Sequence, residues 1–125
     1  MSDYTIYHNS RWGKSRATLQ LLRDSNIDPN IVNYLTEPLN VQLLKSISNK
    51  LGIKPSSWIR KNENDYKLNN INVIVNDDDQ LYLAMIKFPI IIERPIVTRG
   101  NSAVIGRPPD NVLKLIIWLN NFELA

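Results

Sequence analysis

The apolar positions of the first third of the chain change period twice. Tyr4-Thr5-Ile6-Tyr7-His8 is β-branched and aromatic and is bounded by polar residues, the make-up of a strand. The turn Asn9–Gly13 then feeds a helix capped near Lys14-Ser15, in which Ala17, Leu19, Leu21, Leu22 and Ser25 fall at roughly helical spacing up to Asn26. After the Asp28-Pro29-Asn30 break, Ile31–Leu35 reads as a second strand. A strand, a helix and a strand at this length form a βαβ unit, whose strands run parallel.

Thr36-Glu37-Pro38 ends that unit, and Val41, Leu43, Leu44, Ile47 and Leu51 mark a second helix that stops at Gly52, a residue suited to the left-handed turn past a helix end. Pro55–Arg60 predicts a short helix with proline near its start. Asn62–Asn76 is polar and asparagine-rich, and predicts irregular structure apart from the apolar run Val73-Ile74-Val75. Asp77-Asp78-Asp79 stands before Leu81, Leu83, Ala84, Ile86 and Phe88. It reads as a helix cap with favourable charge in the first turn, since the ligand spacing of a calcium loop is missing. Ile96–Arg99 and Ala103–Ile105 flank a Gly-Asn turn and predict a hairpin. Pro108-Pro109-Asp110 opens a last helix with Val112, Leu113, Leu115, Ile116 and Leu119 on a broad apolar face. The expected architecture is α/β, a mixed four-stranded sheet made of a parallel βαβ unit and a C-terminal hairpin, flanked by helices, which is the layout of thioredoxin-like sandwiches.

At 125 residues and 43% hydrophobic content, the chain is expected to fold as one domain spanning residues 1–125. Fifteen Lys and Arg against twelve Asp and Glu leave only +3, too weak a bias to argue for nucleic acid. The chain holds no cysteine, which excludes disulfides, thiolate metal sites and thiol catalysis. Neither a leader-like start nor an apolar run long enough for a bilayer is visible, so a cytoplasmic location without membrane contact is expected, and no metal site.

The chemistry gathers in Tyr7–Arg16, where a strand end, a polar turn and a basic helix start bring together backbone N–H groups, two hydroxyls, an imidazole and cations. That set suits a small anion. Three further segments each place an arginine at the edge of an expected element: Trp58-Ile59-Arg60-Lys61, Ile92-Glu93-Arg94-Pro95-Ile96 and Ile105-Gly106-Arg107-Pro108-Pro109. Trp58 and Trp118 lie on apolar faces and read as packing residues rather than ligand platforms.

Taken together, Ile6–Arg16, Trp58–Asn62, Arg94–Val97 and Ile105–Pro109 resemble the glutaredoxin-dependent arsenate reductases of the thioredoxin-like superfamily, over nearly the whole chain. The resemblance implies an oxyanion site in which Arg60, Arg94 and Arg107 hold arsenate, phosphate or sulfate, helped by Asn9, Gly13, Ser15 and Arg16. It implies that His8 assists a nucleophilic cysteine, that Pro95 is cis, and that glutathione and glutaredoxin supply the electrons with no bound cofactor. In the family the nucleophile stands at the position of Trp12.

Trp12 has no ionisable group, so the reductase reaction is expected to be absent and the chain to be a pseudoenzyme that at most binds an oxyanion. Its indole lies over the anion as a lid, with Arg94 or Arg107 stacked on it, or folds in as a plug; the sequence leaves both open. The alternative from another functional class is a protein-interaction or regulatory module like the Spx-type regulators, which bind RNA polymerase; on either reading glutaredoxin or an unidentified protein is a candidate partner. Such a module would have no redox switch, because the chain has no cysteine pair.

Overall fold

The computed structural model describes residues 2–116, so the expectations at Trp118 and Leu119 lie outside the described residues. The chain forms two compact units, one running up to Asn33 and resuming at Arg94, the other Tyr34–Glu93.

The first unit holds the sheet. Strand β1 (Tyr4–Tyr7) is followed by helix α1 (Gly13–Asp24) and strand β2 (Asn30–Val32), and after the second unit come β3 (Ile96–Arg99) and β4 (Ser102–Ile105). Residues 111–116, here α6, are helical. The strand order is β2-β1-β3-β4. β1 pairs with β2 in parallel, Tyr7 opposite Val32, and with β3 antiparallel, Ile6 opposite Val97; β3 and β4 form the expected hairpin, with Gly100 in the left-handed region at φ 58. β2 is shorter than the expected Ile31–Leu35, because Tyr34, Leu35 and Thr36 turn away into the next unit.

Alternation on β1 puts Tyr4 and Ile6 on one face with Val97 of β3. Leu19 and Leu22 of α1 and Val112, Leu115 and Ile116 of α6 close over that face to form the unit's core. Burying three leucines and two isoleucines here is worth on the order of 10 kcal/mol, at roughly 1.5–3 kcal/mol per large aliphatic side chain.

The second unit is helical: α2 (Val41–Leu51), a 3₁₀ turn Pro55–Ser57, α3 (Asn64–Leu68), α4 (Ile71–Ile74), α5 (Asp78–Lys87) and a second 3₁₀ turn Pro89–Ile91. Its caps follow the sequence. Asn40 accepts the Leu43 N–H at 2.8 Å to open α2, Gly52 closes it at φ 72, and Asp77 accepts the Gln80 N–H at 3.2 Å to open α5.

Two expectations change here. Pro55–Arg60 makes only a 3₁₀ turn, after which Ile59 bridges Ile92. Asn62–Asn76, expected to be irregular, folds as α3 and α4, because Tyr66 and Ile71 are buried anchors within the polar run and Asn70, at φ 53, turns the chain between the two helices. α5 is the centre of the unit, packing against α2, α4 and both 3₁₀ turns.

Candidate functional site

Sheet register brings three separate segments to one edge. Tyr7, Ile96 and Ile105 lie in one row across β1, β3 and β4, so the chain leaves this edge into the His8–Trp12 turn, arrives there through Arg94-Pro95, and leaves again through Gly106-Arg107. Neighbouring strands are ~4.8 Å apart, which places these segments within reach of a single small ligand. In open α/β sheets, ligands sit outside the carboxyl ends of the parallel strands, and β1 ends here.

The turn is held by its own polar groups. Asn9 Oδ1 accepts the Arg11 N–H at 2.8 Å, and the Asn9 carbonyl accepts the Trp12 N–H at 3.2 Å. Arg16 reaches back from α1 to donate to the Ser10 carbonyl at 2.8 Å. Trp12 is the α1 N-cap, extended at φ −102 and making no side-chain cap bond. Gly13, Lys14 and Ser15 therefore present the N–H groups that every α-helix leaves without an intrahelical acceptor, together with the positive end of the helix dipole.

His8 and Ser15 are buried beneath this turn. His8 Nδ1 lies 2.6 Å from Ser15 Oγ, which also accepts the Asn9 N–H at 3.1 Å. The proton assignment that uses every group has the Ser15 hydroxyl donating to Nδ1, with the imidazole proton on Nε2. Burial holds the His8 pKa below its ordinary value, and the charges of Arg23 and Arg16 add to that. In that assignment the imidazole is neutral.

Arg94 and Trp12 form the outer part of the edge. The Arg94 guanidinium carbon lies 3.3 Å from the Trp12 ring centroid, a cation–π stack, and both side chains are half-buried. Arg94-Pro95 is cis, as the resemblance implies, and so is Arg107-Pro108. The Pro95 carbonyl accepts the Gly106 N–H at 2.8 Å. Gly106 has no room for a side chain: a Cβ there would sit 2.6 Å from Thr18 Oγ1 and 2.8 Å from Pro95 Cγ. Asn111 fastens the next residues, its amide donating to the carbonyls of Ile105 and Arg107 at 3.1 Å each. The Arg107 side chain is exposed.

The first unit thus brings together His8, Asn9, Trp12, Gly13, Ser15, Arg16, Arg94, Pro95 and Arg107. Arg60 belongs to the second unit, where two carboxylates hold it: Nε donates to Glu63 Oε1 at 2.9 Å and Nη1 lies 4.0 Å from Glu93 Oε1. Trp58 is a core residue, fully buried, its indole N–H donating to Ser48 Oγ at 2.7 Å. A cleft of about 720 Å³ lined by Lys45, Lys54, Asp77 and Asp78 lies in this second unit as well.

Gly106, Thr18, Asn111 and Glu93 carry roles that the sequence reading did not assign. Asn111 had a visible signal, four residues past Arg107 at a helix start; the Gly106–Thr18 approach and the Arg60–Glu93 pair join positions too distant in sequence to leave one.

The mixed sheet flanked by helices, with the α1 N-terminus at its edge and a cis-proline leading into β3, defines a thioredoxin-like protein. The chain belongs to the ArsC family, whose model matches residues 7–115. It is 39% identical over 112 residues to an arsenate reductase of Haemophilus influenzae, spanning 89% of this chain and 97% of that one. It is 38% identical over 112 residues to the uncharacterized protein YfgD of Escherichia coli K12, spanning 89% and 94%. An arsenate reductase structure from Vibrio cholerae superposes with a TM-score of 0.85 at 39% identity, covering 89% of this chain and 95% of that one. No helix among the described residues is long and apolar enough to cross a membrane.

Proposed function

We propose that this chain is an arsenate reductase-like protein that keeps an oxyanion site and has lost the reductase step. The observation that carries the reading is the residue at the α1 N-cap: Trp12, stacked on Arg94, in a chain with no cysteine anywhere. Reducing arsenate through the family's chemistry needs a thiolate that forms a sulfur–arsenic bond. A thiol at a helix N-terminus beside cations ionises readily, its pKa falling from ~8.5 to as low as ~3.5. Indole carries no such lone pair, and no other side chain here can take over the attack. Glutathione and glutaredoxin, which serve the family as reductants, then have no arsenic–thiol adduct to act on.

What remains at the sheet edge still suits an anion. Gly13, Lys14 and Ser15 offer N–H donors, Arg94 and Arg107 offer planar forked donors matched to a tetrahedral oxoanion, and His8 with Ser15 sets the turn that aims them. The stack on Arg94 supports Trp12 as a lid rather than a plug, because a guanidinium on the indole face is the partner that a lid would have. Arsenate, phosphate and sulfate are the ligands of this reading. Arg60 enters it less directly, since Glu63 and Glu93 already meet its charge.

The test mixes the protein with arsenate, glutathione and glutaredoxin and follows NADPH consumption through glutathione reductase, with Trp12→Cys alongside. The expected result is a silent wild type and turnover by Trp12→Cys. Turnover by wild type overturns the reading. Silence from both proteins removes the oxyanion site from it and leaves the protein-interaction module as the better account.

A further inference from the structure

The cleft of the helical unit holds charges that the oxyanion reading does not use. It lies between α2 and α5, which pack against each other, and each helix turns a pair of residues four apart towards it: Lys45 and Asn49 from α2, Asp78 and Tyr82 from α5. Three of its five charged groups are already engaged. Lys45 Nζ meets Asp79 Oδ1 at 3.4 Å, and Asp77 caps α5 by accepting the Gln80 N–H. Lys54 and Asp78 are left, opposite in sign, facing the same cleft and making no ion pair among the described residues.

Tyr82 points to a ligand independently of these charges. The residue is only 4% exposed, yet its hydroxyl has no hydrogen-bond partner among the described residues and stays in contact with the cleft. Helical side chains lean towards the N-terminus, so this phenol is aimed over Asp78, one turn earlier. A buried ring that brings an unpartnered O–H to a cleft forgoes a hydrogen bond unless something in the cleft supplies it.

What the cleft can hold follows from its charge. Its three aspartates do not converge as a metal site, since no group of metal-ligating side chains forms among the described residues. A polyanion would find one free ammonium and three carboxylates. The two free charges sum to zero, and a phenol O–H and the Asn49 amide stand beside them. The same four residues, Asn49, Lys54, Asp78 and Tyr82, also line an adjoining recess of about 330 Å³, together with Gly52, exposed Ile53 and Pro55. Two opposite charges that face one cleft without closing on each other leave a gap that a zwitterion bridges, each end meeting its own partner. We infer that this cleft binds a small zwitterion of the α-amino-acid class, its carboxylate at Lys54 and the Tyr82 hydroxyl, its ammonium at Asp78, and an uncharged side chain in the recess beside Ile53. None of these residues belongs to the sheet-edge site, so the inference stands apart from the oxyanion reading.

An NMR titration of the full chain with millimolar L-leucine, L-glutamine, N-acetyl-leucine and leucine amide tests it. At least one of the two amino acids is expected to bind and to shift the amide resonances of Asn49, Lys54, Asp78 and Tyr82. N-acetyl-leucine lacks the ammonium and leucine amide the carboxylate, and each should bind about fivefold more weakly than leucine or worse, the upper end for one exposed ion pair. Lys54→Gln and Asp78→Asn should each weaken the amino acid by a similar factor, and Lys67→Gln should not. Tyr82→Phe keeps the buried ring and should weaken it by about two- to tenfold, the range of one hydrogen bond. Urea unfolding of each variant separates loss of binding from loss of folding, and the analogue series on wild type decides even where a variant fails to fold. No binding of either amino acid, an affinity that both leucine analogues match, shifts confined to the sheet unit, or binding that survives both Lys54→Gln and Asp78→Asn overturns the inference.

Discussion

Arg94 and Arg60 are the same side chain in two settings, one in each unit. Arg60 is enclosed by the carboxylates of Glu63 and Glu93, and its unit carries equal numbers of acidic and basic residues. Arg94 lies on the face of an indole, and the stretches 4–23 and 94–109 that form its edge hold Arg11, Lys14, Arg16 and Arg107 and no acidic residue. A guanidinium between two carboxylates has exchanged its hydration for internal partners and gains little from an outside anion. A guanidinium on an aromatic face is held in place by the ring's quadrupole and keeps its charge uncompensated by that ring. The helical unit therefore pairs its arginine with its own carboxylates, and the sheet unit gathers its cations at one edge beside an indole.

The two tryptophans give the sharpest test of that contrast. Trp58 is fully buried and hydrogen-bonded to Ser48, so Trp58→Ala should lower the free energy of unfolding by ~3–5 kcal/mol, the scale of removing a large aromatic from a packed core. Trp12 is half-buried at the ligand edge, and Trp12→Ala should lower it by ~1 kcal/mol or less, mainly the lost stack on Arg94. Urea unfolding of the two variants decides. Equal losses would mean that Trp12 is as much a part of the packed interior as Trp58, and the picture of an open edge would have to be given up.

Two glycines sharpen the picture within the edge itself. At Gly106 a Cβ meets buried Thr18 and Pro95 at 2.6 and 2.8 Å, so Gly106→Ala should cost ~1–3 kcal/mol by overpacking and should disturb the Gly106 N–H bond to the Pro95 carbonyl. At Gly13 the nearest atom is Arg16 Nη2 at 3.6 Å, an ordinary contact, and Gly13→Ala should stabilise by ~0.5–1 kcal/mol because glycine is the costlier residue in a helix. Opposite signs in thermal unfolding are the expected outcome. A neutral Gly106→Ala would show that the edge tolerates repacking where the structure shows no room.

How far the sequence reaches follows from the range of each interaction. The order of strands and long helices was legible because their apolar periods are local, and so were the end of α2 at Gly52 and the start of α5 at Asp77, which act on backbone within a turn of themselves. α3 and α4 were not, since helices of five and four residues anchored by Tyr66 and Ile71 show no repeat for a period to detect. At the site, the turn and its arginines could be read as residue types. Which arginine stacks on Trp12 could not, because Arg94 and Arg107 are equivalent until register sets the geometry of the edge. The partner of Arg60 was half visible: Glu63 is three residues away, Glu93 thirty-three.

The smallest expected effect is a pH dependence seated under the turn. His8 is buried, bonded through Nδ1 to Ser15, and its pKa is held below the ordinary value of ~6.5 by burial and by Arg23 and Arg16. The unfolded chain then binds this proton more readily than the native state does. Stability contributed by His8 is accordingly complete above pH ~6.5 and declines as pH falls through the lowered native value, where the imidazole charges and Nδ1 can no longer accept the Ser15 hydroxyl. Carboxylates titrate in the same acid range, so the measurement is a difference: urea unfolding of wild type and His8→Gln at matched pH values from 8 to 5. Glutamine keeps an acceptor for Ser15 and carries no charge, so the difference should be flat above pH ~6.5 and should move in the variant's favour below it. A difference that stays flat throughout would mean that the imidazole is as easily protonated in the fold as outside it, and that the buried Ser15 bond does not depend on its being neutral.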